Sequence, residues 1–95
     1  MKFFWDESKN RANKRKHNVS FEESQELFRS GNYVEIFDVE HSVLEARFFA
    51  IGPIARGLIV VVWTEGQEDE IRIISARTAT KVERQLYKSY MENWQ

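Results

Sequence analysis

Apolar and polar positions along this chain change their period several times. Residues 3–5, Phe-Phe-Trp, form a short apolar block that suits a strand, and Asp6 behind them suits a helix N-cap. Residues 7–17 hold Ala12 as their only apolar side chain. A helix there has almost no stripe to bury and must rest on a few contacts. Lys14, Arg15 and Lys16 sit where cations complement a helix C-terminus, and Asn18 suits the left-handed residue that ends it. Ser20 and Glu23 form a capping box for a second helix, running to about residue 29 and burying Phe21, Leu27 and Phe28. Ser30-Gly31-Asn32 breaks it.

Four strands are predicted next. Residues 33–38 alternate loosely. Residues 44–52 place Glu45, Arg47, Phe49 and Ile51 on one face and Leu44, Ala46, Phe48 and Ala50 on the other. Gly52-Pro53 with Arg56-Gly57 signals a turn. Residues 58–64 are apolar almost throughout and read as the central strand, covered on both faces. Residues 65–70 are an acidic hairpin turn, and 71–76 are the returning strand. Short links between consecutive strands predict antiparallel pairing. Thr80 and Glu83 form a second capping box. Val82, Leu86, Tyr90 and Trp94 then recur every four residues as the expected buried stripe. The order β-α-α-β-β-β-β-α predicts an α+β sandwich, a twisted antiparallel sheet with two N-terminal helices and one C-terminal helix.

Composition narrows the classes. Ninety-five residues with 42% apolar and 14% aromatic side chains suit one globular domain, residues 1–95. Cysteine is absent, so disulfides and a thiol nucleophile drop out and the reducing cytoplasm is the expected home. The longest apolar run, 58–63, is too short to cross a bilayer, and the first residues lack the apolar region of a signal peptide. No metal or other cofactor is expected. The net charge of −1 conceals a pattern. Residues 1–16 carry six Lys/Arg against two acids, 17–70 three against eleven, and 71–95 five against two. If the basic ends meet, they form a cationic face.

The stretch 71–80 carries the most chemistry. It ends a strand and opens a capped helix, with Arg72, Arg77, Ser75, Thr78, Thr80, Glu83 and Tyr87 around one corner. Guanidinium, imidazole and carboxylate groups near a phosphate are the chemistry it suits.

Two blocks of residues carry a family resemblance. The first is Trp5-Asp6, Lys9, Asn10, Asn13, Lys16-His17 and Val19-Ser20-Phe21-Glu22-Glu23. The second is Arg72 through Thr80, then Glu83-Arg84 and Tyr87. With His41-Ser42, Glu45, Arg47, Ile51-Gly52 and Trp63-Thr64-Glu65 between them, the chain resembles the BrnT toxins over nearly its whole length. Asn18 stands where that family commonly has glycine, and loops 29–32 and 52–53 also depart from its pattern.

The resemblance implies a RelE-like fold and a ribonuclease toxin of a type II toxin–antitoxin module, which cuts RNA and stops translation. The implied partner is a BrnA-like antitoxin with a ribbon-helix-helix part. Two toxins would surround an antitoxin dimer that binds operator DNA, and no membrane is involved. The alternative is a non-catalytic module that binds protein or RNA. Metal-free RNA cleavage needs a base for the 2′-hydroxyl, cations for the phosphate and an acid for the leaving oxygen. His17 suits acid or base, or else bonds the helix end. Arg72 and Arg77, five residues apart, point to opposite faces of a regular strand, so one binds substrate and the other pairs with an acid. Glu83 is a capping carboxylate or a base. Tyr87 contacts phosphate or base, or is core. Arg47 pairs with Glu45 or binds RNA. Lys9, Lys16, Lys81, Arg84 and Lys88 are solvated or track the RNA backbone. Trp94 is expected to face the antitoxin.

Overall fold

A computed structural model of the chain describes residues 1–93. Its elements are β1 (Lys2–Phe4), α1 (Glu7–His17), α2 (Phe21–Ser30), β2 (Val34–Phe37), β3 (Arg47–Ile54), β4 (Gly57–Glu65), β5 (Glu70–Thr78) and α3 (Lys81–Glu92). The element order and the α+β class are those the sequence predicts. The five strands form one sheet in the order β1-β5-β4-β3-β2, with the apolar β4 at its centre. β2 through β5 pair antiparallel, as their short links require. β1 pairs parallel with β5, so the sheet is mixed and not wholly antiparallel. No hairpin ties β1 to β5, so nothing in the chain forces the antiparallel sense there.

One face of the sheet packs under α1 and α2. Phe21, Leu27 and Phe28 of α2 are buried, as predicted, against Ala50, Val61, Trp63, Ile73 and Ala76. Phe28 is the hub, with the rings of Phe3, Tyr33 and Trp63 centred 5.4–5.7 Å away. Both predicted capping boxes form, and Asn18 takes the left-handed conformation at φ 57°. The β3–β4 turn falls at Ala55-Arg56, not at Gly52-Pro53, which lie inside β3. Pro53 is tolerated because β2 stops at the level of Ile51, so no neighbour needs its missing N–H.

α1 docks in a way its composition hid. Its buried side chains are Asn10 and Asn13. The Asn13 amide donates to the carbonyl oxygens of Ala76 and Val19 and accepts from the Ala76 N–H, at 2.8–3.1 Å. β1 pairs with β5 only as far as Arg72, and Asn13 serves as a strand partner for the open edge beyond. Asn10 accepts from the Phe21 N–H and donates to Glu22.

α3 lies on the other face of the sheet, rotated from the expected orientation. Val82, Leu86 and Tyr90 are exposed, and the half-buried stripe is Glu83, Tyr87 and Met91. Two polar anchors set that rotation. Glu83 holds Arg77, and the Tyr87 hydroxyl donates to the Asn32 carbonyl at 2.8 Å. Trp94, the fourth member of the expected stripe, lies outside the described residues.

Candidate functional site

A bulge in β5 arranges the arginines. Val62 of β4 pairs with Ser75 and Trp63 pairs with Ile73, which leaves Ile74 as an extra residue. The extra residue changes the parity of the strand. Arg72 therefore stands opposite Thr64 and Arg77 opposite Val60, four residues apart on β4 and on one face. The regular-strand expectation of opposite faces is corrected by that single insertion. Arg47 pairs with Thr64 as well, so Arg47, Arg72 and Arg77 share the face away from α1 and α2.

Arg77 is the most tightly built. Its Nη1 and Nη2 donate to the two carboxylate oxygens of Glu83 at 2.7 and 2.8 Å. The fork matches the carboxylate in geometry and charge. Glu83 also accepts from the Thr80 N–H at 2.8 Å. Its carboxyl is lowered from 4.5 to about 2, chiefly by the Arg77 hydrogen bonds. The same bonds push the Arg77 guanidinium up. A carboxylate held this far down takes a proton poorly near neutrality, so Glu83 fits the positioning of Arg77 and α3 better than the work of a base. A cleft of about 140 Å³ lies between sheet and α3, walled by Ile36, Phe49, Val60, Arg77 and Leu86 among others. Tyr87 packs beside it on Ile51, Val60 and Ala79.

His17 belongs to α1, on the other side of β5. Asn10, Asn13 and His17 follow the i, i+3, i+7 spacing of one helical face. Asn13 meets β5 at Ala76, so His17, half-buried one turn further on, faces the Thr78 end of that edge. The turn after α1 is fixed there, because the Asn18 carbonyl accepts from Arg56 Nη2 at 2.7 Å and Arg56 stands at the β3–β4 turn. Lys14, Arg15, Lys16, His17, Arg77, Lys81 and Arg84 thus gather at one end of the sheet, while Arg72 and Arg47 lie toward the other end of the same open face. Lys9 is in the first turn of α1, away from the basic end, and Lys88 is exposed further along α3. Arg47 forms no ion pair with Glu45, and its buried Nε has no hydrogen-bond partner. Among the described residues no group of three or more His, Cys, Asp or Glu side chains could hold a metal ion, and no helix is long and apolar enough to cross a membrane.

Sequence reasoning missed Arg56 and Asn13. Arg56 looked like a turn residue, and Glu23, its carboxylate partner at 2.8 Å, lies 33 positions earlier. Asn13 did carry a signal, the polar i, i+3, i+7 stripe on a helix with no apolar one.

Mixed sheet, flanking helices and an arginine-lined open face with a basic end describe a small α+β protein of the kind that handles nucleic-acid phosphate. Residues 5–83 match the family model described as the ribonuclease toxin BrnT of type II toxin–antitoxin systems, so the chain belongs to the BrnT family. The crystal structure of the Brucella abortus ribonuclease toxin BrnT superposes with a TM-score of 0.67 at 28% identity, covering 85% of this chain and 99% of that one. No curated protein sequence gives a significant match. Membership of this family makes the protein a ribonuclease toxin and implies an antitoxin partner.

Proposed function

We propose that this toxin cuts RNA without a metal, by attack of the 2′-hydroxyl on the adjacent phosphate, leaving a 2′,3′-cyclic phosphate. His17 moves the proton at the basic end of β5. Arg77 and Arg72 neutralise charge on the phosphate, with Arg47, Lys16, Lys81, Arg84, Lys88 and Lys9 along the RNA path. Glu83 keeps the Arg77 guanidinium aimed, and Tyr87 holds α3 to the loop before β2. The observation that carries this reading is the β5 bulge, which sets Arg72 and Arg77 on one face, with the α1 histidine at the Arg77 end. A single sheet joining all the helices supports reading residues 1–95 as one toxin domain. Family membership supports a BrnA-like ribbon-helix-helix antitoxin, two toxins per antitoxin dimer, operator binding only through that complex, and action in the cytoplasm.

The test is a long RNA incubated with toxin freed of its antitoxin, in EDTA. Cleavage should persist in EDTA and stop at a site carrying a 2′-deoxyribose, because the nucleophile is then missing. His17→Ala should lose roughly 100- to 10,000-fold in rate, the contribution of a positioned acid or base. Arg77→Ala and Arg72→Ala should be as severe while circular dichroism stays native. RNA left intact by the native toxin at every protein excess would favour a non-catalytic binding module instead.

A further inference from the structure

The basic end holds a second cavity, of about 130 Å³, where the sheet stops. Its floor is apolar, made by Val19, Ile54 and Ile59, all buried. Its rim is polar, made by Arg56, Thr78 and Arg84. Val19 lies two residues past His17, and Thr78 follows Arg77 directly. The cavity therefore opens at the same end of the sheet as both groups, with Thr78 and Ile59 on the α1–α2 face, Arg77 on the opposite one, and Arg84 of α3 on its rim. Building on the ribonuclease reading, we propose that it receives the nucleobase next to the scissile phosphate and gives the toxin its sequence preference.

Size and chemistry both point to a base. Pockets for drug-sized ligands run to roughly 300–1,000 Å³, so this one admits a single ring system and not a whole nucleotide. An apolar floor suits the face of a base, and single-stranded RNA can offer one splayed from its stack. The rim then reads the edge. Arg56 is fixed by Glu23, whose two carboxylate oxygens accept at 2.8 and 3.0 Å, and by the Asn18 carbonyl. That fixes one wall of the cavity before RNA arrives. The Arg84 guanidinium and the Thr78 hydroxyl are exposed and make no hydrogen bond among the described residues. Arginine only donates, and threonine both donates and accepts. A donor-rich rim favours guanine and uracil, which present an exocyclic oxygen where adenine and cytosine carry an amino group.

Cleavage sites mapped across a random RNA pool test the idea. Native toxin should show guanine or uracil enriched at one position flanking the cut. In Thr78→Val that enrichment should fall at least threefold, with cutting retained, and in Arg84→Gln it should fall as far whatever the total rate. An unchanged preference in both variants overturns the pocket, and so does native cleavage with no flanking preference. A second arm needs no cleavage. The methyl resonances of Val19, Ile54 and Ile59 are followed by NMR with 3′-GMP, 3′-UMP, 3′-AMP and 3′-CMP. Shifts with the first two alone uphold the pocket even if RNA stays intact, which would count only against the nuclease reading. No shifts, or equal shifts with all four, overturn it.

Discussion

Glu83 accepts three hydrogen bonds on one carboxylate: two from the Arg77 fork and one from the N–H of Thr80, the N-cap of α3. The depressed carboxyl, at about 2 against an ordinary 4.5, ties that junction to pH. A carboxyl lowered in the fold contributes its full stabilisation above pH 4.5 and loses it as pH falls through that value toward 2. Glu83→Gln should therefore be less stable than the native protein by about 1 kcal/mol at neutral pH, the scale for a pair open to solvent. The gap should shrink steadily as pH falls from 4.5 toward 2, measured by urea unfolding across that range. A gap of constant size from pH 7 to 2.5 would mean that the charge contributes nothing. Glu83→Gln should also leave the acidic limb of the cleavage pH profile in place, because a group this acidic is ionised throughout it.

At the scale of elements, the legible and the hidden separate by the kind of interaction that fixes each. The capping boxes at Ser20 and Thr80 and the apolar run of β4 act over a few residues, and the sequence displays them directly. Three features depended on partners distant in the chain. The β5 bulge is invisible because nothing in Ile73-Ile74-Ser75 signals an extra residue. The turn of α3 is fixed by polar anchors, Glu83 on Arg77 and Tyr87 on Asn32, which override its four-residue apolar spacing. α1 buries amides where a stripe of leucines would be sought. That last feature gives a sharp expectation. Asn13→Ala strands the Ala76 N–H and two carbonyl oxygens, each costing roughly 1–3 kcal/mol when left buried and unpaired. Urea unfolding should show a loss of more than about 2 kcal/mol. Ala12→Ser, at the exposed apolar residue of the same helix, should stay within about 0.5 kcal/mol. Equal effects of the two substitutions would show that α1 docks by something other than its buried amides.

Across the whole molecule the strands run between ends of opposite charge. The C-terminus of α1, the β3–β4 turn and the first turn of α3 bring Lys14, Arg15, Lys16, Arg56, Lys81 and Arg84 to one end. The 38–46 and 65–70 loops bring Asp38, Glu40, Glu45, Glu65, Glu68, Asp69 and Glu70 to the other. The net charge of −1 is thus a near-cancellation between poles, not an absence of field. A polyanion approaching such a dipole is drawn basic end first, which is where His17, Arg77 and the small cavity lie. For single-stranded nucleic acid the logarithm of affinity falls with the logarithm of salt at roughly 0.7 per phosphate neutralised. Replacing Lys14, Arg15 and Lys16 together by alanine removes three of the cations, so the slope for binding a 2′-deoxy-substituted, uncleavable RNA should flatten by about 2. Replacing Glu65, Glu68 and Glu70 by glutamine changes the net charge by the same amount in the opposite sense, at the far end. If geometry governs, that variant keeps the native slope, since a Debye length of about 8 Å at physiological salt screens one end from the other. If net charge governs, the affinities of the two variants should shift in opposite directions by similar amounts, and the dipole would play no part in binding.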